Sequence, residues 1–109
     1  MYNPSMDEPR IHIPRRKLTE FCRKYNIQKL AFFGSVLRDD FKPTSDVDVI
    51  VEFKKGHTPG LAFYAMPEEL KRILGHEVDL ITFQGVQASR NPIRRKAILD
   101  SAKVYYVAR

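Results

Sequence analysis

The chain has 109 residues, a formal net charge of +6 and 43% apolar residues. That length supports one domain with a small core, and no apolar run approaches the ~20 residues of a membrane span. Cys22 is the only cysteine, which excludes an internal disulfide, and the polar N-terminus lacks the apolar stretch of a signal peptide. A cytoplasmic protein is the expectation. The positive excess favours polyanionic partners: nucleotide phosphates, nucleic acid or an acidic protein surface.

Residues 1–10 read as a loose tail and 11–109 as one domain. Pro14 opens a helix running to about residue 25, with Leu18, Phe21, Cys22 and Tyr25 on one face at 3–4 spacing. Cys22 is expected in the core. Asn26 is a plausible stop. Residues 27–33 form a short apolar strand ending at Gly34, and 35–39 one or two helical turns. A loop containing Pro43 follows. Residues 46–53 form a second strand. Alternation puts Val47, Val49, Val51 and Phe53 on one face, and Asp46, Asp48 and Ile50 on the other. A polar connection over 54–60 leads to a helix over 61–74, terminated by Gly75. Residues 77–82 form a third strand, and 83–89 carry no assigned role. Pro92 suits a first helical turn capped by Ser89 or Asn91, in a helix running to about residue 102. Val104 to Val107 reads as a last strand or an extended end. The pattern is α/β: a small mixed sheet with helices packed on it.

Three segments carry chemistry. Phe33-Gly34-Ser35 is a turn directly after a strand. Glycine permits positive φ and close approach of a phosphate. Ser35 offers an amide and a hydroxyl at the start of a helical turn, and Arg38 can add a charged donor. Ten residues after Ser35 come Ser45-Asp46-Val47-Asp48. Asp46 and Asp48 are expected on one strand face, with Cα atoms about 6–7 Å apart. Like charges at that separation repel, and a cation between them relieves the conflict. Asp79 interrupts the apolar run Val78-Asp79-Leu80-Ile81, where a charge is costly unless paired or liganded. Beside the Asp46–Asp48 strand it would complete a three-carboxylate site, the equipment of metal-assisted phosphoryl transfer. Magnesium suits such hard oxygen ligands. The three histidines are scattered and Cys22 stands alone, so no zinc site is expected. The basic clusters Arg15-Arg16-Lys17 and Arg90 with Arg94-Arg95-Lys96 read as solvated helix faces.

Gly34-Ser35-x-x-Arg38, Ser45-Asp46-x-Asp48 and Val78-Asp79-Leu80 together resemble the nucleotidyltransferase superfamily of the DNA polymerase β type, and more narrowly its minimal, stand-alone nucleotidyltransferases. The resemblance runs from about residue 11 to 107 and includes Glu68-Glu69-Leu70. It implies a catalytic core without finger or thumb domains. It also implies pairing with a helical HEPN-type toxin encoded nearby, neutralised as an antitoxin would, by transfer of AMP from ATP to a toxin tyrosine. On that reading Asp46, Asp48 and Asp79 hold Mg2+, Asp79 can serve as base, and Gly34 and Ser35 grip the β/γ-phosphates with help from Arg38. Two alternatives stay open. The acceptor could be an RNA end or small molecule, or the chain could mask its toxin by binding without turnover.

Overall fold

The computed structural model describes residues 9–109. α1 (Arg15–Lys24) opens after Pro14 and buries Leu18, Phe21 and Cys22. Asn26, with φ +55°, turns the chain back into β1 (Ile27–Phe33). A single 3-10 turn (Gly34–Leu37) separates β1 from β2 (Val47–Phe53). A second 3-10 helix (Gly60–Ala65) runs directly into α2 (Met66–Leu74). β3 (Val78–Thr82), the short α3 (Phe83–Gln87), α4 (Pro92–Ser101) and β4 (Lys103–Val107) complete the order.

The four strands form one mixed sheet in the order β3-β2-β1-β4. β1 pairs antiparallel with both β2 and β4, whereas β2 and β3 run parallel. A parallel pair needs a crossover, and the second 3-10 helix and α2 supply it. β1 is central, and Ile27 and Leu30 to Phe33 are buried because both of its faces are covered. One face packs Val47, Val49 and Val51 against Leu18, Phe21 and Cys22 of α1 and Met66 and Leu70 of α2. The other carries a smaller cluster of Ala31, Phe33 and Ile50 with Val86 of α3 and Ile98 of α4. This division of β2 follows the alternation expected of it.

The expected helix over 61–74 is two elements. Pro67 has no backbone N–H and fits only a first helical turn, so the α-helix begins at Met66 with Pro67 inside that turn. Gly75, at φ +76°, ends it and donates to the Lys71 carbonyl at 2.7 Å. Segment 83–89, left without a role, begins with α3, whose cap is Thr82: its hydroxyl accepts from the Gly85 amide at 2.9 Å. Of the expected tail, residues 1–8 lie outside the described residues. Arg10 donates its amide to the Val36 carbonyl and pairs with Asp39 at 2.7 Å. Among the described residues no helix is long and apolar enough to cross a membrane.

Candidate active site

The end of β1 and the heads of β2 and β3 meet at one place. Phe33 is paired with Asp48 across the antiparallel β1–β2 ladder, and Asp48 with Asp79 across the parallel β2–β3 ladder. Residues opposite one another in a ladder share a sheet face, so the Asp48 and Asp79 side chains stand together. The amide of Val47 donates to the Glu77 carbonyl at 2.8 Å, which fixes the heads of the two strands to each other. Asp46 precedes Val47 by one residue. It follows a tight turn in which the Lys42 amide donates to the Ser45 hydroxyl at 3.1 Å and the Ser45 amide to the Lys42 carbonyl at 2.9 Å. Asp48 is half-buried, and Asp46 and Asp79 are exposed on either side of it.

Gly34 opens the 3-10 turn at φ +75°, and a Cβ built there would overlap the Oδ2 of Asp48. Two constraints therefore coincide at this glycine. The backbone is left-handed, and the Asp48 carboxylate occupies the space a side chain would need. The turn is closed by the Arg38 amide, which donates to the Ser35 carbonyl at 2.9 Å. It is a single turn of four residues, so the Ser35 amide and hydroxyl carry the anion-binding potential more than any helix field does.

Burial is the main influence raising the Asp48 carboxyl above the ordinary carboxylate range. The negative charges of Asp79 and then Asp46 raise it further, and Arg38 and Arg94 oppose them. Both flanking aspartates thus act on Asp48. Arg38 is held in an exposed ion pair with Asp40 at 3.2 Å. Arg94 was not anticipated: its cluster read as a solvated helix face, yet it is the second cation acting on Asp48. The Asn91 side chain caps α4 by accepting from the amides of Ile93 and Arg94, each at 3.1 Å. That cap fixes Arg94 in the first turn. Asn91-Pro92 before a basic pair signals the helix start, but nothing local says which way that start points.

Among the described residues no three His, Cys, Asp or Glu side chains are gathered tightly enough to hold a metal ion as they stand. The donor chemistry nevertheless fits a hard divalent cation. All three groups are carboxylates, and the central one bears an electrostatic conflict that a cation would relieve. Asp48 also has its space secured by the missing side chain of Gly34.

This sheet, with paired carboxylates beside a Gly-Ser turn, has the donor types that phosphoryl transfer uses. Residues 14–105 match the nucleotidyltransferase domain family, and the chain belongs to that family: it is a nucleotidyltransferase. It is 33% identical over 88 residues to a protein of Methanocaldococcus jannaschii described as "Putative protein adenylyltransferase MJ0435", covering 81% of this chain and 89% of the relative. It is 35% identical over 63 residues to the protein adenylyltransferase MntA of Thermococcus cleftensis, covering 57% and 62% respectively. Among solved structures, one described as "Structure of putative minimal nucleotidyltransferase" aligns with a TM-score of 0.62 and 28% identity over 82% of this chain and 86% of the other. The fold is shared also with a toxin–antitoxin crystal structure containing AMP-PNP, at a TM-score of 0.66 and 18% identity over 88% and 75%.

Proposed function

We propose that the chain is a Mg2+-dependent protein adenylyltransferase that moves AMP from ATP to a tyrosine hydroxyl of a HEPN-type toxin encoded nearby, and so acts as its antitoxin. The observation that carries this reading is the in-register pairing of Asp48 with Asp79 against the Gly34 turn. It puts a half-buried carboxylate, an exposed carboxylate and an anion-binding turn at one end of the sheet. Support also comes from relatives named as protein adenylyltransferases and from a structural neighbour described as "Crystal structure the toxin-antitoxin MntA-HepT".

Asp46, Asp48 and Asp79 are the residues that would hold the metal, which when bound supplies charge stabilisation for the triphosphate and the attacking oxygen. Gly34 and Ser35 would hold the β/γ-phosphates through amide and hydroxyl donors, with Arg38 released from Asp40 to assist. Arg94 would balance charge on the Asp48 side. The acceptor phenol oxygen attacks the α-phosphorus. The bond from that phosphorus to the α–β bridging oxygen breaks, and pyrophosphate leaves. Asp79, the exposed member of the in-register pair, takes the phenolic proton.

The test is transfer of α-labelled AMP to the small helical protein of the adjacent gene, recognised by an Arg-x4-His motif. Label is expected on tyrosine with wild type and lost with Asp46→Asn. Label on RNA alone would replace this reading with RNA-end modification. Neutralisation of the toxin by Asp46→Asn without label would replace it with masking.

A further inference from the structure

A large cleft among the described residues is lined by none of the three aspartates. It is open, about 1110 Å3 in volume, and lies around the C-terminal ends of β2 and β3, between the second 3-10 helix and the α3–α4 pair. Along β2, Asp48 and Phe53 are five residues apart, about 16 Å at the rise of a strand. The cleft therefore lies toward the opposite end of the sheet from the carboxylates. Arg94 connects the two regions, since it lines the cleft and acts on Asp48.

Two properties define what the cleft would accept. It is basic: Lys54, Lys55, Arg94 and Arg95 line it against one carboxylate, Glu52. Neither Lys54 nor Lys55 is neutralised by an ion pair among the described residues. Tyr64 lines the cleft as well, and Leu61, outside the lining, neighbours Tyr64 on the same 3-10 helix. Leu61 is 86% and Tyr64 80% exposed. Being three residues apart in a 3-10 helix, they stand one over the other. Tyr64 is braced from behind, with ring centroids 6.2 Å apart between Tyr64 and Phe63 and 6.3 Å apart between Phe63 and Phe53. An exposed aromatic ring already held in place costs a partner little ordering entropy, and such rings are the usual anchors of protein interfaces.

We infer that this cleft is the docking surface for the acceptor protein, which it grips through an acidic segment carrying an apolar or aromatic anchor. The inference rests on the proposed protein acceptor and adds where and by what chemistry that acceptor is held. Lysines alone would suit RNA equally. Glu52 opposes any polyanion alike, and Tyr64 could stack on a base, but the aliphatic Leu61 exposed beside it offers nucleic acid nothing to stack on and suits an apolar anchor, so the pair favours a protein segment.

The experiment compares wild type, the double variant Lys54→Glu/Lys55→Glu and the double variant Leu61→Asp/Tyr64→Ser. All four positions are exposed and outside the phosphate and carboxylate machinery. Circular dichroism confirms folding. Affinity for the adjacent-gene protein, steady-state AMP transfer to it, and affinity for a non-hydrolysable ATP analogue are then measured. Both double variants are expected to weaken binding of that protein about tenfold or more and to raise its KM. The kcat at saturation and the affinity for the analogue should be unchanged. Wild-type affinity in both variants overturns the docking inference while leaving the transferase reading intact. Loss of analogue affinity would make the cleft a nucleotide site instead. Loss of binding to a single-stranded RNA, with the protein still bound, would make it an RNA surface. Wild type that binds the protein without labelling it removes the transferase reading, and the affinities still decide the docking one.

Discussion

Asp48 is the residue on which the site's energetics turn. Its carboxyl is raised by burial and by the charges of Asp79 and Asp46. A carboxylate whose folded pKa exceeds its unfolded value binds more protons folded than unfolded in the window between the two. The fold therefore loses stability as pH rises through that window, and carries the full cost at neutral pH. In chelator, Asp48→Asn should raise Tm at neutral pH, with a gain that shrinks as pH falls toward the ordinary carboxylate range. Added Mg2+ should raise the Tm of wild type but not of the variant, and the variant should be inactive. An Asp48→Asn protein that melts below wild type in chelator at neutral pH would show that the carboxylate is satisfied without a cation. At Gly34 the two constraints predict more than a lost phosphate contact. A side chain there would meet left-handed strain of about 1–2 kcal/mol and would push the Asp48 carboxylate from its place. Gly34→Ala should therefore lose both Mg2+-dependent stabilisation and calorimetric ATP binding. Loss of ATP binding alone would mean that Asp48 moves aside freely.

At the scale of elements, α1 and α2 are pinned together outside the core. Glu69 accepts from the Tyr25 hydroxyl at 2.6 Å and from the Lys24 ammonium at 2.9 Å. The Tyr25 hydrogen bond, ahead of the Lys24 one, holds the Glu69 carboxyl below its ordinary range. For a depressed carboxylate the sign is the reverse of that at Asp48. Its contribution is present above the unfolded pKa and lost as pH falls through the folded one. Tyr25→Phe should cost about 1 kcal/mol at neutral pH, and the difference from wild type in urea melts should narrow under acid. A constant difference across that range would mean that the hydroxyl's contribution does not depend on the charge of Glu69, since the ring that meets Phe21 at 4.9 Å is kept in the variant.

The elements also show where sequence stopped being informative. α1, the strands, Gly75 and the Asn91-Pro92 start were legible because each is fixed by local chemistry: periodicity, a left-handed stop or a cap. The side that Asp48 takes was legible from strand alternation, whereas Asp46 lies one residue before β2 begins. Asp79 was legible as a third carboxylate on a strand beside them, but its pairing with Asp48 in particular was not, because a parallel register is set by the crossover rather than by either strand. For the same reason Arg94 looked like one more solvated cation. Five-residue α3 escaped because Gly85 breaks its pattern and its cap is the last residue of a strand.

For the whole molecule, the decisive feature is how open the site is. Asp46 and Asp79 are exposed and only Asp48 is half-buried, so a triphosphate bound to this face would remain in water, where each charged contact is weak. A docked acceptor would cover that face, exclude water and bring its hydroxyl into line with the α-phosphate. Arg94, shared between the cleft and the carboxylate site, gives the two events a physical connection. If docking strengthens nucleotide binding, linkage requires nucleotide to strengthen docking by the same factor. The affinity for a non-hydrolysable ATP analogue, measured with Mg2+ in the absence and presence of saturating acceptor, should rise on acceptor binding. Acceptor affinity with and without saturating analogue should rise equally, and a coupling of about 1–3 kcal/mol is the usual range. Arg94→Gln should abolish most of the coupling, while lowering acceptor affinity without nucleotide by less than the Lys54→Glu/Lys55→Glu variant does, because it removes one of the four cations lining the cleft and reverses none. Equal analogue affinity with and without acceptor would mean that the phosphate site is complete in the isolated chain and that the acceptor supplies only its hydroxyl.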